Sequence, residues 1–317
     1  VPSLDELRFD LTALTQSLLL ALLFLLLAAV PARLANSVLS QNNAQISAWF
    51  SQRGVIAKWR ERLAGVWNNP AGLASFIILS AVVYGFLSPD FGLSTQSVAA
   101  LLGVVAGLLV AGLIFEIPLI LTHRWVANDG GRLRALPLTI VLAVASVLIS
   151  RVAAFQPGYL YGRVTGREFD SIHWRDEARA MALTGVWMLS VALVAWLALP
   201  LVDGALSSVP LLDMAVSASL ATIFVGGLAG ALLDLVPLPF LPGSKVFAWR
   251  RSVWFVLFMA AAFFFALLLI NPGTAVPGSA GLSPLVAALI AFVSFAIASL
   301  VFWGYFRLRG PEPLGEA

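Results

Sequence analysis

Gly226-Gly227-Leu-Ala-Gly230-Ala-Leu-Leu-Asp234-Leu-Val-Pro237-Leu-Pro239-Phe-Leu-Pro242-Gly243 carries a glycine-rich apolar helix into an acid, three prolines and a glycine. Prolines at this density forbid a continuous helix, because each removes a backbone donor and crowds the preceding turn. The surrounding chain is too apolar for a soluble domain: 317 residues, 60% hydrophobic, 11% charged, with a mean hydropathy of +0.95. Composition of this kind points to a polytopic membrane protein. Broken backbone at membrane depth is tolerated only where protein buries it or it lines a wet cavity. The stretch is therefore the first candidate for a functional centre.

A spanning helix needs about 20 mostly apolar residues. Windows of that kind lie near 11–32, 70–88, 96–121, 136–156, 180–202, 213–233, 252–271 and 284–306. The expected fold is all-α: one transmembrane bundle over 1–317, with seven or eight membrane segments. The last two windows are divided at Asn271-Pro-Gly273, a strong helix break. Between the first two windows, Ile46, Trp49, Phe50, Ile56, Trp59, Leu63, Val66 and Trp67 recur at roughly helical spacing among Arg53, Lys58, Arg60 and Arg62. That pattern predicts an amphipathic helix in the membrane interface.

Only Lys58 and Lys245 are lysines, and most basic residues sit in short loops. They read as topology determinants, so the basic pI does not argue for nucleic acid. Counting inward from both termini places the N-terminus outside and the C-terminus in the cytoplasm of a bacterial plasma membrane. The loops at 122–135 and 157–179 both read as cytoplasmic. A simple crossing at 136–156 conflicts with this: either the segment dips in and returns, the favoured expectation, or one of the two basic loops lies outside. Val1 in place of a methionine, with an outside N-terminus, suggests an extracytoplasmic region upstream. Without cysteine, a disulfide framework, an iron–sulfur cluster and a thiol nucleophile are excluded.

Ionisable groups in apolar surroundings are functional candidates by default. Here they are Glu116, Arg151, Asp213 and Asp234, with His123 at a helix end. Glu116 and Asp234 each precede a proline, Pro118 and Pro237. Glu116 and His123 share a helix face but lie about 10 Å apart along the axis, too far to hold one metal. Pro157-Gly158-Tyr159-Leu-Tyr-Gly predicts a tight interfacial turn anchored by aromatic rings, with ligand contact as the alternative. Gly103-x-x-x-Gly107 and Gly226-x-x-x-Gly230 are small-residue patterns that let helices approach closely.

Asp234-x-x-Pro237-x-Pro239-x-Leu241-Pro242-Gly243 resembles the Asn-x-x-Pro…Asp-Gly motif of site-2-protease intramembrane metallopeptidases. Glu116 would occupy the place of the glutamate in that family's His-Glu-x-x-His helix. The resemblance implies a membrane-buried zinc held by two histidines and an aspartate, with the glutamate activating water. In this chain the histidine positions are Phe115 and Leu119, the aspartate is Pro242 and the asparagine is Asp234. None of the three ligand positions can supply a zinc donor. What the resemblance then implies is a non-catalytic relative with no metal and no cofactor. The two proline-glycine motifs are also similar to bacterial multi-pass membrane proteins of unassigned function.

The leading expectation is a non-enzymatic membrane scaffold or anchor of pseudoprotease type. Its partners would be the bilayer and other membrane or extracytoplasmic protein segments, not nucleic acid. The alternatives are a transporter or channel using Glu116, Asp234 and Arg151, and an active intramembrane hydrolase.

Overall fold

The computed structural model describes residues 10–41, 69–87, 91–135, 139–140, 143–144, 147–148, 165–169, 172–202, 205–206, 208–238, 241–270, 293–294, 297, 300–301 and 304. These are mostly helical. In chain order they form α1 (Leu11–Gln41), α2 (Pro70–Gly85), α3 (Thr95–Ile114) and α4 (Ile117–Ala127). Two strands follow, β1 (Arg132–Ala135) and β2 (Thr165–Glu168), and then α5 (Trp174–Val202), α6 (Pro210–Asp234), α7 (Pro242–Trp249) and α8 (Arg251–Phe265). A π-helical turn, Ala266–Ile270, continues α8.

Local chemistry fixes several helix starts. Asn69 caps α2 by accepting from Gly72 N–H at 2.7 Å, with Pro70 in the first turn where its missing donor is harmless. Ser94 caps α3 through Ser97 N–H at 3.1 Å. α4 stops at Asn128, which takes the left-handed conformation (φ 53°) and returns its N–H to His123 O.

Four described helices are long and apolar enough to cross a membrane: Thr95–Ala127, Trp174–Val202, Pro210–Asp234 and Arg251–Ile270. They correspond to the expected spans at 96–121, 180–202, 213–233 and 252–271. Residues 11–26 and 70–85 add shorter apolar helices. The predicted interfacial helix and the Asn271-Pro-Gly273 break lie outside the described residues.

The all-α expectation needs one amendment. β1 and β2 pair antiparallel, with Arg132 opposite Glu168 and Ala135 opposite Thr165. Arg-Leu-Arg-Ala alternates over only four residues and Thr-Gly-Arg-Glu does not alternate, so neither announces a half-buried strand strongly.

α6 is the hub of the bundle. Its most extensive packing is against α3, then α5, and α8 also lies on it. Every residue from Thr222 to Leu232 is buried, so this half of the helix meets protein on all sides. Burying apolar groups from lipid yields little, and close packing must hold such helices together. Gly103 and Gly107 provide it on α3. A Cβ on Gly103 would collide with the Ala215 carbonyl and sit 2.7 Å from Ala218 Cβ; on Gly107 it would sit 2.7 Å from Thr222 Cβ and 2.8 Å from Ser219 O. The sequence pattern Gly-x-x-x-Gly thus serves packing, as its plain reading held. On the far side, Phe24 of α1 meets Phe265 of α8 edge-on at 6.2 Å.

Overpacking at such a contact typically costs about 1–3 kcal/mol. Gly107→Leu should lower stability in detergent by at least that amount, read from denaturant unfolding. Gly130→Ala, where an added Cβ meets nothing within 4 Å, should leave it unchanged.

Candidate functional site

Two helix breaks organise the candidate residues, and Pro118 causes the first. It has no N–H to give to Ile114, four residues earlier, so the helix ends at Ile114 and restarts at Ile117. The freed Ile114 carbonyl accepts instead from the indole N–H of Trp187 on α5, at 2.8 Å. Glu116 sits in the gap, 1% exposed.

The strand β2 covers this face of the kinked helix. Its alternate side chains Thr165, Arg167 and the following Phe169 project to one side, the period of a strand. They meet Gly112, Glu116 and His123 in turn. Thr165 Oγ1 would lie 2.5 Å from a Cβ on Gly112. The Arg167 main-chain N–H donates to Glu116 Oε1 at 3.2 Å, and Arg167 Nε stands 3.7 Å from Glu116 Oε2. Phe169 stacks on the buried His123 ring at 4.1 Å. The Arg167 guanidinium also donates to the carbonyls of Gly130 and Gly131, at 3.1 and 3.3 Å, pinning the turn before β1. Glu116 and His123 do share a face, as their spacing predicted. What they share it with is a strand.

The second break is the proline-rich stretch. Asp234 ends α6 and is 6% exposed. The chain then turns through buried Leu235, Val236, Pro237 and Leu238. Its backbone donors are used locally: Leu235 N–H to Ala231 O, Val236 N–H to Leu233 O, and Leu238 N–H to Val236 O. The Leu235 carbonyl accepts from the indole N–H of Trp254 on α8, at 2.7 Å. In a helix its donor would be residue 239, a proline without one. Pro242 opens α7, and Gly243 presses against the Leu235 and Val236 carbonyls where a Cβ would have no room. Protein, not a wet channel, surrounds the described part of this break.

The positions that the metallopeptidase resemblance singles out have structural occupants. Phe115 is fully buried, with its ring tip 2.8 Å from where a Cβ on Gly227 would lie. Among the described residues no group of three or more His, Asp or Glu side chains is placed to hold a metal ion. Asp213 lies in the first turn of α6 and accepts from Leu206 N–H at 3.3 Å. Arg151, Pro157, Gly158, Tyr159 and Pro239 lie outside the described residues.

Arg167, Phe169, Trp187 and Trp254 escaped the sequence reading. For the two tryptophans a signal existed: a proline orphans the carbonyl four residues earlier, and apolar neighbours must find it a donor. No comparable signal marks Arg167, whose pairing with Glu116 depends on a strand.

Comparison with protein-family models, with curated proteins and with solved structures gives no match.

Arg167→Met strips Glu116 of a cationic partner and should cost about 3 kcal/mol or more. Glu116→Gln should cost about 1–3 kcal/mol. The double variant should lose less than the sum, the signature of direct coupling in a double-mutant cycle. Trp187→Phe and Trp254→Phe should each cost about 1–3 kcal/mol by orphaning a carbonyl. Trp125→Phe, at an indole 85% exposed, should change little.

Proposed function

We propose that this chain is a non-enzymatic integral membrane scaffold of pseudoprotease type, which holds partner membrane or extracytoplasmic segments against a fixed helical frame. One observation carries the reading. Glu116, the residue that would activate water in a metallopeptidase, is bound by Arg167 through both main chain and guanidinium. A general base has to reach the proton it removes, and this carboxylate faces a strand. The Phe115 ring against Gly227 supports the same conclusion.

The membrane is the bacterial plasma membrane, with the N-terminus outside and the C-terminus in the cytoplasm. The β1–β2 register supports the re-entrant course for the segment between the strands. Ala135 and Thr165 are cross-strand partners, and paired strands lie about 5 Å apart. A bilayer core is about 30 Å thick, so Ala135 and Thr165 lie at one depth, as a re-entrant course requires.

A transporter or channel is the second reading. Asp234 favours it, being a buried acid that ends a helix buried throughout from Thr222 to Leu232, and so does the π-helical turn Ala266–Ile270, a distortion frequent at functional sites.

Metal content and proteolysis assays on purified protein test the first reading. No stoichiometric zinc and no Glu116-dependent cleavage are expected; zinc at one per chain with cleavage lost in Glu116→Gln would overturn it. Proteoliposome flux that vanishes in Asp234→Asn would favour transport. The cysteine-free background permits a topology test: Arg132→Cys and His173→Cys should react with an impermeant maleimide from the same side. Labelling from opposite sides would refute the re-entrant course.

A further inference from the structure

We infer that Arg179, Trp249 and Arg250 form a binding site for the phosphate headgroup of an anionic phospholipid. Two guanidiniums converge on one indole: that of Arg179 lies 5.9 Å from the Trp249 ring centroid and that of Arg250 lies 5.7 Å from it. Each is attracted by the ring's electron-rich face, but the two repel each other. Arg179 has a surface partner in Asp176 at 3.4 Å, both groups well exposed, which offsets little. Arg250 and its neighbour Arg251 have no acidic partner among the described residues, and Arg251 lies over Phe247 instead. Lys245 is neutralised by Glu177 at 2.5 Å. The patch therefore holds an uncompensated positive charge that a phosphate would neutralise.

Its position favours a lipid as the source of that phosphate. The patch lies where α5 and α8 begin, and both are long and apolar enough to cross a membrane. Tryptophan and arginine at the start of a span belong in the headgroup layer. Basic pockets between such helices suit anionic headgroups. One turn along from Arg179 is the exposed Leu183, and one turn along from Arg251 the exposed Phe255. Residues four apart share a helix face, so Arg179 of the site and Arg251 beside it each continue into apolar surface suited to an acyl chain.

The test uses the full chain in phosphatidylcholine vesicles containing a minor fraction of brominated lipid, with tryptophan quenching as the signal. Brominated phosphatidylglycerol should quench more than brominated phosphatidylcholine at the same fraction. The excess reports preference for the anionic headgroup. Arg179→Gln and Arg250→Gln should each reduce that preference about fivefold. Trp249→Phe, which keeps both charges, should remove most of the excess because the quenched indole is gone. Arg124→Gln, which removes an exposed charge from α4, should leave it intact, and inorganic phosphate in the buffer should not displace the lipid. Equal quenching by the two lipids would overturn the proposal, as would an excess that survives Arg179→Gln/Arg250→Gln or Trp249→Phe. Loss of the excess in Arg124→Gln would point to a diffuse basic surface, and displacement by inorganic phosphate to a soluble anion site; either defeats the assignment.

Discussion

A proline inside an apolar helix strands the carbonyl four residues before it, and lipid has no donor to offer that carbonyl. This chain meets the constraint twice with the same device. Pro118 frees Ile114 O and Trp187 of α5 takes it; Pro239 cannot serve Leu235 O and Trp254 of α8 takes it. Each indole joins the broken helix to its neighbour by a directional bond. α3–α4 is thereby tied to α5, and the end of α6 to α8. An aliphatic side chain at either position would fill space but leave the carbonyl orphaned.

α6 is tied at its end and buried throughout from Thr222 to Leu232. A helix covered in this way has to admit neighbours from several directions. Gly103 and Gly107 bring α3 close, and Gly227 leaves a recess for the Phe115 ring. That recess connects the two breaks, because Phe115 immediately precedes the kink at Glu116. Position 115 is thus held by packing between the two breaks.

Much of this was legible in the chain. Four of the expected spans follow from charge-free length, the break after α6 from the prolines at 237–242, and the close helix approach from glycines four apart. Each is a local property, set by residues within a turn or two. The Glu116–Arg167 pair was not legible, because it needs residues 51 apart in sequence to meet through a strand pairing with weak intrinsic preference. Thr165 is the one branched residue of β2, and Gly166 with the charges after it gives the strand little of the character that marks strands. What secures β2 is its side-chain register on the helix, Thr165, Arg167 and Phe169 against Gly112, Glu116 and His123. Burial patterns read along one segment cannot reveal a match between two.

The proline-rich stretch and the Glu116 helix meet through α5, on which both α7 and α4 pack. His123 lies within electrostatic reach of Glu177 and Lys245, which themselves pair α5 with α7. Arg179 reaches from α5 to Trp249 at the end of α7. A continuous polar layer therefore runs from β2 and α4 through the start of α5 to α7 and the start of α8. Within it Glu116 pairs with Arg167, Asp176 with Arg179 and Glu177 with Lys245, while Arg250 and Arg251 lie over aromatic rings. Catalysis needs a reactive group left free to meet substrate, whereas recognition needs only a rigid surface with an unspent charge. The unspent charge around Trp249 is what the proposed binding role draws on.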